Sequence, residues 1–217
     1  MQKIIVFLGP SLEQTAAEKI LSAHYLPPAR RGDLLAAVNN GATIIGLIDG
    51  VFHQESAVAH REILTALKKG VQVIGSSSMG ALRAAEMDTL GMVGIGKIYN
   101  MYKSGELESD DEVALVFDPS SGMALSEPLI NIRFTLKRAR DAGIIDIGAH
   151  DALLAAARSV FYPQRTYRTI AYQAGEAIDE KTRAQFLQWV KTNACDQKRD
   201  DAVAALDYIR KIAIETV

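Results

Sequence analysis

Ser76, Ser77 and Ser78, set between Gly75 and Met79-Gly80, concentrate reactive oxygen at one point of the chain. The preceding Val71–Gly75 run has the apolar character of a buried strand, and Ala81-Leu82-Arg83-Ala84-Ala85-Glu86 consists of helix formers, so the serines fall on a strand-to-helix turn. Ser76-x-Ser78-x-Gly80 approaches the nucleophile-elbow pattern, with serine in place of its first glycine. Such a turn also leaves backbone N–H groups at a helix N-terminus, where an anion or a developing oxyanion can sit. Three readings are open. Ser78 is a nucleophile with Ser77 beside it, or Ser76 through Gly80 cradle an anion, or the serine only caps a helix, as serine often does.

A hydroxyl needs a base to act as a nucleophile. Of the four histidines, His24 is expected to close the first helix and His150 to lie in the later, helical half. His53 follows the Asp49-Gly50 loop and is the first candidate to move the proton; His60, about two helical turns further on, is the second. A capping or surface role explains either histidine taken alone. Asp49 ends an apolar strand and is either the turn former of an Asp-Gly pair or an acid that orients or stabilises charge beside Ser78. Arg30, Arg31 and Asp33 surround Gly32 after the stiff Leu26-Pro27-Pro28 turn. Their guanidinium groups suit a carboxylate or phosphate, while Asp33 equally suits a helix cap. Arg83 can reach back to a bound anion or pair with Glu86 or Glu62. The acidic run Glu106–Glu112 lacks the ligand alternation and turn glycine of a calcium loop, so no metal is expected. Gly94-Ile95-Gly96 does not complete a dinucleotide fingerprint, and no cofactor is expected.

These residues need a scaffold. Lys3–Leu8, Thr43–Ile48 and Val71–Gly75 read as strands, with helical stretches over Glu13–Ser22, Asp33–Val38 and Ala57–Lys69 between them. Continuous apolar strands separated by helices predict an α/β fold, a parallel sheet with helices on both faces. Ligands collect at the carboxyl ends of such strands. Three loops should therefore meet at one edge: Leu8-Gly9-Pro10-Ser11, Ile48 to His53, and Gly75 to Ser78. Gly9, Pro10 and Ser11 thus join Arg30, Asp33, Ser76, Gly80 and Arg83 as an expected anion- or partner-binding set. From about Ser121 helical spacing dominates, over Leu125–Asp141, Gly148–Ser159, Gln164–Ala174, Lys181–Val190 and Lys198–Thr216. Asp118-Pro119-Ser120-Ser121-Gly122 reads as a loop, which gives a 1–120 α/β core and a mainly helical C-terminal region over 121–217, able to pack on the core as a cap.

The 217 residues carry a formal net charge of −2 and are 48% hydrophobic, a globular composition without the basic field that nonspecific nucleic-acid binding needs. One cysteine, Cys195, excludes an internal disulfide framework and any Cys-x-x-Cys motif. The amino-terminal Met1–Leu8 run is too short for a signal h-region followed by a cleavage site and no apolar run is long enough to span a bilayer, so a cytoplasmic location without membrane contact is expected.

Several ordered stretches converge on one family. Phe7-Leu8-Gly9-Pro10-Ser11-Leu12, Leu26-Pro27-Pro28-Ala29-x-x-Gly32-Asp33, Ile48-Asp49-Gly50-Val51-Phe52 and His60-Arg61-Glu62-Ile63-Leu64 come first. Gly75-x-Ser77-Ser78-Met79-Gly80-Ala81-Leu82-Arg83-Ala84-Ala85-Glu86, Gly91-Met92-x-Gly94-x-Gly96 and Asp110-Asp111-Glu112-Val113-Ala114 follow. Together they resemble the TfuA-like proteins over residues 1–120, and Lys198-x-x-Asp201-Ala202 extends the likeness into the helical half. The resemblance implies a partner of YcaO enzymes, which use ATP to activate peptide backbone amides. It further implies a part in thioamidation, through release of sulfide from a thiocarboxylated, ubiquitin-like sulfur carrier and stimulation of the YcaO enzyme. Hydrolysis of an acyl thioacid needs a nucleophile or oriented water and an oxyanion hole, which the Ser77-Ser78 turn is suited to supply. In that serine-dependent hydrolase Ser78 attacks or orients water, His53 or His60 moves the proton, and Asp49 orients or stabilises the charge. The alternatives are a noncatalytic YcaO-binding adaptor whose strand-end loops form the interface, and a small-anion- or nucleotide-binding α/β protein. A lone cysteine in the less similar half argues against a persulfide relay.

Overall fold

The computed structural model describes residues 2–52, 56–118 and 122–215. Among these residues five strands and ten α-helices follow one another as β1 (Ile4–Phe7), α1 (Gln14–Glu18), β2 (His24–Leu26), α2 (Asp33–Asn39), β3 (Ile44–Leu47), α3 (His60–Lys68), β4 (Gln72–Ser76), α4 (Met79–Met87), β5 (Val93–Ile95), α5 (Lys97–Lys103), α6 (Leu129–Asp141), α7 (Ile147–Ser159), α8 (Tyr167–Gln173), α9 (Glu180–Asn193) and α10 (Gln197–Glu215). They form two compact units. The first runs to Asp110 and resumes at Lys198, and the second spans Asp111–Gln197.

In the first unit all strands are parallel, in the order β2-β1-β3-β4-β5. The nearly continuous apolar composition of β1 and β3 follows from burial on both faces. Side chains alternate across the pleat. Ile5, Phe7, Ile45, Leu47 and Val73 pack with Leu34, Ala37, Ile63, Ala66 and Ala84 from α2, α3 and α4. On the opposite face Val6, Leu8, Ile44, Ile48 and Ile74 pack with Ala17 of α1 and with Ala202, Leu206 and Ile209 of α10. Gly46 lets α10 come close, since a Cβ there would stand 2.9 Å from Ile209 Cδ1. The expected parallel sheet with helices on both faces is thus present, and helices dominate the chain from α6 onward.

Two strands depart from the reading of the sequence. His24 opens β2 instead of ending a helix, because α1 stops at Glu18 and residues 24–26 add a strand to the edge beside β1. Val93-Gly94-Ile95 forms the other edge, against β4. Three-residue edge strands carry too little periodicity to stand out, and pairing with a preformed neighbour fixes them. The strand order reverses between β1 and β3, so the crevice at their carboxyl ends is a topological switch point.

The second unit closes its own core around Leu129, Ile132, Leu136, Leu153, Ile170 and Phe186. Asp146, Thr166 and Asp179 cap α7, α8 and α9 through their side chains. Arg165, 1% exposed, is satisfied inside by the Ala157 and Val160 carbonyls and by Asp111. Burial first, and the neighbouring Asp196 second, push the Glu127 carboxyl above its ordinary range. Among the described residues, no helix is long and apolar enough to cross a membrane.

Candidate functional site

The switch point is organised by Asp49. Chain register places the ends of β1 and β3 side by side, with Phe7 opposite Leu47, so the residues that follow face each other across the crevice. Asp49 Oδ2 accepts the Gly9 amide at 2.9 Å and the Ser11 amide at 3.1 Å, and Oδ1 accepts the Ser11 hydroxyl at 2.7 Å. The carboxylate is 2% exposed, and oriented donors balance its charge. Gly9 is required here because a Cβ would enter the Pro28 ring. The Leu26-Pro27-Pro28 turn is therefore packed directly on the loop after β1.

The serine turn completes this edge. Ser76 ends β4 fully buried, with Oγ within reach of the Ile95 carbonyl at 2.8 Å and the Asp201 carbonyl at 2.9 Å, so it fastens β4 to β5 and α10. Ser77 has φ +64°, the one positive φ at a non-glycine among the described residues. The Ser78 amide donates to the Ser76 carbonyl at 2.8 Å, closing a three-residue turn around it. This backbone costs about 1–3 kcal/mol and persists only where the surroundings hold it. They do: Ser77 Oγ donates to Ser11 Oγ at 2.8 Å, and Ser11 in turn donates to Asp49.

Ser78 occupies the N-cap of α4, yet its side chain makes no capping hydrogen bond. Its Oγ instead accepts from Lys198 Nζ at 3.0 Å, inside the unit, with the lysine 2% exposed. The helix finds other acceptors: the Gly80 amide donates to the Ile48 carbonyl and the Ala81 and Leu82 amides to the Ser78 carbonyl. The Met79 amide has no acceptor among the described residues. It directly follows Ser78, the place from which a nucleophile elbow draws an oxyanion-hole donor. Gly80 brings α4 against the sheet, since a Cβ there would overlap the Leu47 carbonyl.

The remaining candidates lie elsewhere. His60 starts α3 and its Nε2 meets Glu86 Oε2 at 2.7 Å, with the imidazole about half exposed. Arg83 Nη1 pairs with the same carboxylate at 2.6 Å, and Nε donates to the Val58 carbonyl. These groups line an open cavity of about 510 Å³ with Phe52, Met79 and Leu82, and Ser78 is not in its wall. His53 lies outside the described residues. Asp33 accepts the Arg30 amide at 2.7 Å, and Glu62 takes the Gly32 and Ala59 amides, so the Arg30–Asp33 turn is braced by its own backbone. None of these bonds reaches the serine turn. Pro10 lies between Gly9 and Ser11 in the loop after β1.

Lys198 and Asp201 enter the site without having been singled out for chemistry. Asp201, one turn along α10 and 3% exposed, accepts the Ile98 amide at 2.7 Å and so caps α5. Gly96, at φ +102°, leaves room for that carboxylate. Recurrence of Lys198-x-x-Asp201 in a family pattern was the available signal. Comparison with curated proteins finds no match. The family model for TfuA-like protein, however, matches residues 49–166, more than half of the chain, starting at Asp49 and taking in the whole serine turn. The chain belongs to the TfuA-like protein family.

Proposed function

We propose that this protein is an accessory factor of a YcaO enzyme and releases sulfide from a thiocarboxylated, ubiquitin-like carrier for thioamide formation. TfuA-like proteins are associated in general with YcaO-dependent modification. The reading rests above all on Ser78, whose hydroxyl stands at a helix N-cap without being used as a cap. In this reading Ser78 Oγ attacks the thiocarboxylate carbon, the C–S bond breaks, and water then hydrolyses the resulting ester. In the same reading the Met79 amide receives the developing oxyanion. Ser77, Ser11 and Asp49 hold the turn in its strained form, so that the hydroxyl does not have to be ordered during reaction.

The test is sulfide release from the thiocarboxylated carrier by purified protein. Wild type is expected to release sulfide and Ser78→Ala to be slower by about 100-fold or more. Undiminished release by the variant would remove the serine mechanism. One observation favours a second reading, a noncatalytic adaptor: Ser11, Asp49, Ser77 and Ser78 are all at most 2% exposed. A buried polar network of this kind also shapes docking loops. Absence of release by wild type, together with stimulation of YcaO ATP turnover by both wild type and Ser78→Ala, would support the adaptor.

A further inference from the structure

A thiocarboxylate at the end of a protein is preceded by main chain, and that chain has to lie somewhere when the thiocarboxylate meets Ser78. The first unit offers a place beside the serine turn, the cavity of about 510 Å³, whose wall belongs entirely to that unit. Its size falls within the roughly 300–1,000 Å³ of pockets that enclose small ligands. Met79 belongs to both places. Its backbone directly follows Ser78, while its side chain, 2% exposed, walls the cavity. That side chain also packs on Gly50, where a Cβ would stand 2.9 Å from Met79 Cγ. Consecutive Cα atoms lie about 3.8 Å apart, so a chain seated against Met79 ends within about two residues of the serine. Met79 is unbranched, with three rotatable bonds, and can shift as such a chain passes.

The wall itself specifies the chemistry of the chain. Phe52, Val58, Met79 and Leu82 make it apolar. The cations that line it are already engaged: His60 and Arg83 share Glu86, Arg83 Nε donates to the Val58 carbonyl, and Arg31 has contacts of its own. The loop after α5 adds Glu108 and Asp110, both exposed and without an ion pair among the described residues. This loop is held in place. The Glu106 and Leu107 amides donate to the Met101 carbonyl, Leu107 is 2% exposed, and the Tyr102 hydroxyl donates to the Ser109 carbonyl at 2.9 Å. Two uncompensated carboxylates therefore stand beside an apolar wall, an arrangement that attracts a cation next to an apolar group. We propose that this cavity seats the extended carboxyl-terminal segment of the acyl-donor protein, with an apolar side chain on Phe52 and Leu82 and a basic one at Glu108 and Asp110. The proposal rests on the reading of Ser78 as the residue that meets the thiocarboxylate.

Two synthetic tetrapeptides test this with the full chain: arginine, leucine, alanine and glycine in that order, and the same peptide with glutamate for arginine. Fluorescein-labelled free acids report binding by anisotropy, and the acetylated thioacids report sulfide release. Wild type is expected to bind the arginine peptide about fivefold or more tighter than the glutamate peptide. Glu108→Gln combined with Asp110→Asn should erase that preference. Leu82→Trp, which fills the cavity, should weaken binding of the arginine peptide by about tenfold or more, raise KM for its thioacid to match and leave kcat within about twofold. Circular dichroism checks each variant. Should Leu82→Trp fail to fold, the paired charge variant decides, since both of its side chains are exposed. Equal binding of the two peptides, a preference that survives the charge variant, or no binding at about 1 mM peptide would overturn the proposal. Binding with the expected dependence but no sulfide from either thioacid keeps the peptide site and removes the thiocarboxylate reading. Sulfide release with a KM indifferent to Leu82→Trp and to the charge pair keeps that reading and removes the cavity.

Discussion

Three donors converge on the two oxygens of Asp49, and the two from Ser11 are buried with it. Asp49→Ala would leave the buried Ser11 amide and hydroxyl and the part-buried Gly9 amide without an acceptor, at an expected cost of about 3–5 kcal/mol, read from urea denaturation. Ser77 gives a sharper experiment because its strain and its hydrogen bond act in opposite directions. Ser77→Gly relieves the positive φ but loses the bond to Ser11, so its stability should stay within about 1 kcal/mol of wild type. Ser77→Val keeps the strain, adds a β-branched side chain and leaves Ser11 short of a donor. It should lose more than about 2 kcal/mol in the same titration.

At the scale of elements, the approach of α4 to β3 depends on a single missing methyl. Gly80→Ala would drive a Cβ into the backbone carbonyl of Leu47, where no rotamer change can help, and should destabilise by about 3 kcal/mol or more. A melting curve compared with Gly32→Ala sets the scale, since Gly32 has positive φ but open space around its missing Cβ and should lose only about 1 kcal/mol. The strands that meet at the site were legible in the sequence, because β1, β3 and β4 are runs buried on both faces. Asp49, Ser11 and the serines could be placed at one edge for the same reason. The direction in which Ser78 points was not legible. Serine before a helix reads as a cap by pattern, and only the packing of α10 reveals a lysine competing for its oxygen. Lys198 itself looks like any polar residue in the first turn of an amphipathic helix. Its burial depends on Ala202, Leu206 and Ile209 finding a sheet face far away in the chain.

At the scale of the molecule, the first unit is discontinuous: residues 111–197 form a unit of their own before α10 rejoins the sheet. Removal of residues 198–217 would strip the cover from Val6, Ile44, Ile48 and Ile74, and the truncated chain should aggregate. A short Gly/Ser linker from residue 110 to residue 198, omitting the second unit, should restore a monomeric fold by size exclusion and circular dichroism. The second unit carries its own pH signature. Because folding raises the Glu127 pKa, its contribution favours the folded state below the ordinary carboxylate value of about 4 and is lost as pH rises through the raised value. Glu127→Gln should therefore melt higher than wild type at neutral pH, with the difference closing on acidification.

The 120 residues between Ser78 and Lys198 also order events in time. Ribosomes add residues at about 5–20 per second, so the serine emerges on the order of ten seconds before its lysine has been made. During that interval the Ser78 hydroxyl has no lysine to accept from, and the sheet face that α10 will cover is open. Contact of the lysine with the Ser78 hydroxyl and closure of the core then become one event, set by the arrival of a single helix.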